Sequence, residues 1–204
     1  MDTTLFPTKG NYIQARNTLQ LSKQGYELLD RKRNILIREM MELIERAEEI
    51  QSQIDITFRE AYEALQAANI TIGISTVEQI GHAIPIDESI DIKFRSIMGV
   101  EIPTVSSNDE HFQPRFGFFR TSAALDEAYE KFYKVKKLTI QLSEIENAVY
   151  RLATNIKSTQ KRANALRNII IPRYEQLTAY IQNALEEKER EEFTRLKVIK
   201  NVKK

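Results

Sequence analysis

Two histidines, no cysteine and a few neighbouring carboxylates are the only side chains in this 204-residue sequence with obvious reactive chemistry. His82 and His111 both fall in an irregular middle stretch, without carboxylates at metal-ligand spacing, and read as loop histidines rather than ligands. The pairs Glu48 and Glu49, and Glu191 and Glu192, lie in helical stretches that imply no concave pocket, so they read as solvated faces rather than acid–base pairs. Only 6 glycines are present and they are scattered, with no GxxxxGK[ST] phosphate loop and no dinucleotide fingerprint. The sequence therefore predicts no catalytic residue, no metal site and no cofactor. Without cysteine there is no disulfide, which fits a reducing compartment.

Positive charge is the next chemistry to weigh. Lys157, Lys161, Arg162 and Arg167 cluster near Asn155 and Asn164, but a nucleic-acid surface would interleave such cations with aromatics and carry a net positive charge. The formal net charge is only +1. Docking against acidic protein loops is the better expectation, and no nucleic-acid partner is predicted.

What must position these groups is a pair of long helices. Apolar or small residues recur at steps of three and four through Leu29, Leu36, Met40, Leu43, Ala47, Ile50, Ile54, Phe58, Ala61, Leu65 and Ala68, interrupted at Arg33. A second series runs through Val135, Leu138, Leu142, Ile145, Val149, Leu152, Ile156, Thr159, Ala163, Leu166 and Ile170. Steps averaging 3.5 residues keep a narrow stripe facing a partner helix while the two supercoil left-handedly. The polar residues Ser22, Arg33 and Thr159 at or beside this seam fix register at some expense of stability. A composition of 42% hydrophobic and 29% charged residues suits an elongated helical protein. The expected fold is mainly α: a long antiparallel two-helix left-handed coiled coil with a small turn-rich insertion.

Residues 1–68 are expected to form the first long helix, with Thr8, Gly10 and Asn11 as competing caps. Gly25 inside it is either local slack or the site of a close backbone approach. From 69 to 121 the period changes, and Gly73, Gly81, Pro85, Gly99, Pro103, Pro114 and Gly117 punctuate turns. Ile90, Ile92 and Phe94 alternate with charged residues, and Val100 and Ile102 alternate after Met98-Gly99, which predicts a β-hairpin over about 89–105, with Pro103 at an edge or strand end. Val105 to Pro114 reads as polar loop, followed by the aromatic cluster Phe116, Phe118 and Phe119. Thr121 or Ser122 would cap the second long helix, 122–204, in which Pro172 predicts a kink or local unwinding. A basic tail follows from Arg195. No apolar run approaches the ~20 residues that span a bilayer, and MDTTLFPTKG has no hydrophobic signal core. A cytoplasmic location without direct membrane insertion is expected.

Several segments carry a resemblance. Phe6 to Lys9 (FPTK), Leu21 to Arg33 (LSKQGYELLDRKR) and Ser96 to Pro103 (SIMGVEIP) lie in order with Arg162 to Pro172 (RANALRNIIIP) and Glu187 to Lys200 (EKEREEFTRLKVIK). Together they resemble the D subunit, the central-stalk component of the V-type and A-type rotary ATPases, over essentially the whole chain. One departure is Lys9-Gly10-Asn11, where the family more often carries an Arg and good helix formers, and it bears on where the first helix begins. The resemblance implies a non-catalytic rotor shaft turning inside a hexamer of catalytic and non-catalytic subunits, with ATP bound elsewhere. It also implies a second, small stalk component (the F subunit) along the shaft and a funnel-shaped subunit joining its foot to a membrane ring that translocates protons or sodium. Both chain termini would lie inside the hexamer, and Lys161, Arg162, Arg167, Arg173, Arg190 and Arg195 would meet its acidic or polar loops. The remaining alternatives are a tethering coiled coil, which would dimerise alone, a helical-bundle enzyme, which would need a polar pocket, and a nucleic-acid-binding rod, which would be steeply salt-sensitive.

Overall fold

The computed structural model describes residues 6–84, 90–107, 116–117 and 121–202. In chain order it contains α1 (Lys9–Ile72), α2 (Ile74–Ala83), β1 (Ile90–Ile97), β2 (Val100–Ser107), α3 (Ala123–Ala165), a π-helical turn (Leu166–Ile170) and α4 (Ile171–Val202). The fold class is the expected one, mainly α with long N- and C-terminal helices and a small antiparallel hairpin between them. His111, Pro85, Pro114, Phe118 and Phe119 lie outside the described residues.

Thr8 caps α1. Its Oγ1 accepts from the Asn11 N–H at 3.2 Å, which satisfies one of the helix's orphan donors, and its carbonyl accepts the first intrahelical bond, from the Tyr12 N–H at 3.0 Å. Gly10 and Asn11 therefore sit inside the helix rather than at its cap. At the other end Gly73 takes φ 93 and ψ 142, a conformation that a Cβ would strain. It breaks the chain into α2, a helix too short for a periodic signal to stand out in the sequence.

Two compact units divide the chain, residues 36–155 and residues 1–35 with 156–204. Within 36–155, Ile50 and Ile54 pack on Ile145, flanked by Leu43, Ala47, Leu138, Leu142 and Val149. Tyr62 meets Phe132 edge-on at 5.6 Å, and Ala68 meets Leu125. Rising numbers on α1 face falling numbers on α3, which is antiparallel pairing. One cluster gathers Ala68, Leu125 and Phe116 with Val77, Ile80 and Ile84, so α2 and the residue after it fold back on the seam. Phe116 stands edge-on to Tyr129 at 5.3 Å.

The other unit is also antiparallel. Lys9 pairs with Glu189 at 3.1 Å and Lys23 with Glu175 at 2.7 Å. Ala15 packs on Leu177 and Ile181, with Tyr12, Tyr174 and Leu185 around them.

Pro172 receives a specific answer. The Ile171 N–H donates to the Leu166 carbonyl, five residues back, so one extra residue is accommodated in the turn just before the proline. Continuing the heptads of α3 past Ile170 would put Arg173, Leu177, Tyr180 and Ala184 in the seam. Leu177 does pack there, but Tyr174, Ile181 and Leu185 join it, each one position later than expected, while Arg173 and Tyr180 are exposed. Around the π turn the apolar stripe thus moves by one residue at Tyr174, Ile181 and Leu185, while Leu177 keeps its place.

Candidate functional site

No group of three or more His, Asp or Glu side chains could hold a metal among the described residues. His82 is exposed in the last turn of α2. Glu48, Glu49, Glu191 and Glu192 are exposed as well. What remains is surfaces: the seam, the cations and the hairpin.

Seam residues from the sequence sit as follows. Leu36 and Leu152 are fully buried, and Ile50, Ile54, Ile145 and Ala163 are buried. Met40, Leu43, Ala47, Leu142, Val149, Ile156 and Leu166 are half-buried, as a two-in-seven stripe requires when only one partner helix covers it. A methyl group added at Gly25 would meet only the Leu166 Cδ1, at 3.7 Å. That is ordinary contact with a side chain, so of the two readings of Gly25 the close backbone approach fails.

The polar seam residues form connections. Arg33 Nη1 donates to Gln160 Oε1 at 2.7 Å, and Gln160 Nε2 donates to Asn164 Oδ1 at 2.7 Å. The other arm of Arg33 reaches Asp30 at 2.6 Å and Asn34 at 3.1 Å. One guanidinium thus fixes α1 against α3 through its planar fork. Ser22 is buried because its hydroxyl donates back to the Thr18 carbonyl at 2.8 Å, which satisfies it without a cross-helix partner.

All six cations expected to dock are exposed: Lys161, Arg162, Arg167, Arg173, Arg190 and Arg195. Arg195 has a long contact to Glu191 at 3.8 Å; among the described residues the other five make no ion pair. They do not converge on one patch. Neighbouring helical residues point about 100° apart, so Lys161 and Arg162 face different directions, and Arg190 and Arg195 diverge by about 140°. The arrangement is charge distributed around a helix.

The tip of α4 holds residues that the sequence patterns do not single out. Lys9 on the first turn of α1 pairs with Glu189, and α4 continues through Val202. Along that extension Phe193 is 70% exposed and Val202 81%, with Leu196, Val198 and Ile199 also open. Their signal is a three-residue recurrence, hidden among the charges of EEKEREE and the basic tail.

The hairpin is held to α3 by its second strand. The Val105 N–H donates to Glu144 Oε2 at 3.1 Å, Arg151 Nη1 donates to the Glu101 carbonyl at 3.3 Å, and the Arg151 guanidinium lies 5.3 Å from the Phe94 ring centre. Neither Glu144 nor Arg151 stands out in the sequence, because a long-range polar contact leaves no periodic trace. Val100 and Ile102 are buried, whereas Ile90, Ile92, Phe94 and Met98 are exposed. Met98 and Gly99 both have positive φ, 51° and 77°, as a two-residue type I′ turn demands. Gly99 accepts this freely; Met98 carries the strain. Strand β2 extends to Ser107, into residues whose polarity reads as loop.

Comparison with known proteins gives one family. The family model for the D subunit of ATP synthase matches residues 11–201. The D subunit of the V-type ATP synthase of Thermotoga neapolitana is 45% identical over 194 residues, covering 95% of this chain and 96% of that protein. The D subunit of the A-type ATP synthase of Methanopyrus kandleri is 38% identical over 198 residues, covering 96% and 85%. That of Pyrococcus furiosus is 34% identical over 197 residues, covering 95% and 92%.

Proposed function

The chain belongs to the family of ATP synthase D subunits, and from that premise we propose that it is a non-catalytic rotor shaft that transmits torque between an ATP-handling hexamer and a membrane ring. In this reading the shaft works on the cytoplasmic side. Among the described residues no helix is long and apolar enough to cross a membrane, and attachment to the ring runs through other subunits. The small F subunit binds along the shaft, a funnel-shaped subunit receives its foot, and the catalytic and non-catalytic subunits surround its tip.

The observation that carries the proposal is the extension of α4 beyond the Lys9–Glu189 pair. Complete burial of a large apolar side chain contributes about 1.5–3 kcal/mol, and Phe193, Leu196 and Ile199 leave most of that unrealised in the chain itself. A sleeve formed by other subunits supplies the missing surface. Arg190 and Arg195, pointing in different directions, let successive subunits make similar contacts as the shaft turns. A rotor must avoid differential affinity for one orientation large enough to trap it, and exposed cations on a helix meet that need better than a deep specific pocket.

The test is purification of the chain with its bound partners from its native host. Recovery of the hexamer subunits, the F subunit and the funnel-shaped subunit is expected. Recovery of no rotary ATPase subunit overturns the reading and favours a tethering coiled coil, which light scattering would then reveal as a self-associated species.

A further inference from the structure

The two edges of the hairpin are not alike. On β2, the Val105 N–H and the Glu101 carbonyl point away from β1, toward Glu144 and Arg151 of α3. Pro103 lies between them in the same outward phase, so its missing N–H removes no bond of the ladder. The register pairs Phe94 with Pro103 and Ile92 with Val105. Alternation along an antiparallel pair therefore turns the N–H and C=O groups of Ile90, Ile92, Phe94 and Ser96 to the outer edge of β1. Among the described residues nothing pairs with those groups.

Free edges are ordinarily blunted by proline, a bulge, shortness, charged side chains or a covering loop. Strand β1 has 8 residues in unbroken register, without proline or bulge, and its charges Asp91, Lys93 and Arg95 all lie on one face, leaving the other face apolar. Ile90, Ile92 and Phe94 are about half exposed and line a groove of about 400 Å³ against α3, across which lie Ile140 and Asn147. Lys93 and Arg95 occupy the opposite face.

We propose that the outer edge of β1 is a docking site for an extended segment of a neighbouring ATPase subunit, which adds as a third strand. Its apolar side chains would enter the groove beside Ile90, Ile92 and Phe94, and acidic side chains at alternate positions would lie across from Lys93 and Arg95. This rests on the chain working inside the rotary complex. A row of outward backbone donors and acceptors is matched by another strand and not by a helix, whose backbone groups are paired internally. A second copy of this chain brings like charges together in either in-phase antiparallel register: centred on Phe94, each Lys93 lies opposite an Arg95, and centred on Lys93, the two Lys93 side chains oppose each other, although Asp91 then faces Arg95.

Hydrogen exchange on the full-length chain, free and in the purified complex, tests this. The amides of Ile92, Phe94 and Ser96 are expected to exchange at least about tenfold more slowly in the complex, while those of Lys93 and Arg95, already paired with β2, change little. Ile92→Pro removes one outward N–H without removing a β1–β2 bond, as Pro103 does on β2, and should abolish the added protection at Phe94 and Ser96. Unchanged exchange at the three outward amides in an intact complex overturns the inference while leaving the shaft reading in place. So does Ile92→Pro that keeps the protection, which would mean occlusion without strand addition. Protection that rises with the concentration of the free chain would assign the edge to a second copy and equally overturn it. If no ATPase subunit is bound at all, the failure lies in the functional reading.

Discussion

Residues 36–155 and the paired segments 9–35 and 156–202 share one spacing of small and apolar residues, yet they bury different side chains. The first unit encloses Leu36, Ile50, Ile54, Val135, Ile145 and Leu152, together with alanines at 61, 64, 68, 128 and 148. The second encloses Ala15, Ala163, Leu177 and Ile181, and adds the polar Ser22 and Thr159. It also contains the Arg33–Gln160 link and the π-helical turn. Spacing decides which face meets the partner helix, but side-chain volume decides how strongly. The better-packed unit carries the hairpin; the thinly packed one carries the exposed cations and the apolar tip.

The strongest way to break this comparison is to disturb phase. Insertion of one alanine after Ile170 adds a second surplus residue to the C-terminal helix and turns Leu177 and Ile181 out of the seam. Loss of two such side chains costs about 3–6 kcal/mol and should appear as early thermal unfolding or proteolysis of residues 171–202. Deletion of Asn168 in a Pro172→Ala background removes the residue that the π turn accommodates, so the later seam keeps its partners and stability changes by about 1 kcal/mol or less. Equal damage from the two changes would show that the π turn is not a phase shift.

Packing density comes next. Leu152→Ala should cost about 3–5 kcal/mol and Leu177→Ala about 2–3 kcal/mol, because Leu152 is enclosed on all sides while Leu177 retains 8% exposure beside a narrower core. Urea melts of both variants decide it. If Leu177→Ala is the more damaging, the ranking of the two units is reversed.

These residues also show what a sequence can reveal. Leu36, Ile50, Ile145 and Leu152 are legible because burial against a helix imposes a period, and Met98-Gly99 because a tight hairpin needs positive φ. Helix α2 is not, since ten residues make too few turns for a period to stand out. Beyond Pro172 the apolar face of Leu177, Ile181 and Leu185 is legible, but the change from Arg173 to Tyr174 is hidden: Pro172 signals a disturbance but not whether the chain kinks or widens. The docking surface is half legible. Charges stand out in any sequence, whereas the free edge of β1 depends on which way alternate amides point, and that follows only from Glu144 and Arg151 holding the other edge.

A smaller effect sharpens the account of the polar layer. Arg33→Leu restores the heptad between Leu29 and Leu36 and should raise stability by about 1 kcal/mol, because replacing a partly buried ionic group with a well-packed apolar one is often favourable. It also removes the one fork that ties α1 to Gln160. Broader exchange of backbone amides around residues 29–36 and 156–164, despite the higher melting temperature, would identify Arg33 as a register device. Tighter protection throughout would show that its charge serves only the surface.

The smallest structural effect is expected at the cations. Lys161→Gln and Arg190→Gln remove charges that are exposed and, among the described residues, make no ion pair, so stability should change by less than about 0.5 kcal/mol. Their consequence belongs to the assembled complex, where one missing contact among many alters the coupling of hydrolysis to rotation by at most a few-fold. A rotor is compatible with that insensitivity, since any contact strong enough to dominate would also hold the shaft at one angle. Nucleotide binding should be unaffected, because no part of it is assigned to this chain. Complete loss of ATP binding in either variant, with the complex still assembled, would mean that these side chains complete a nucleotide site, and the division between a catalytic hexamer and a passive shaft would have to be abandoned.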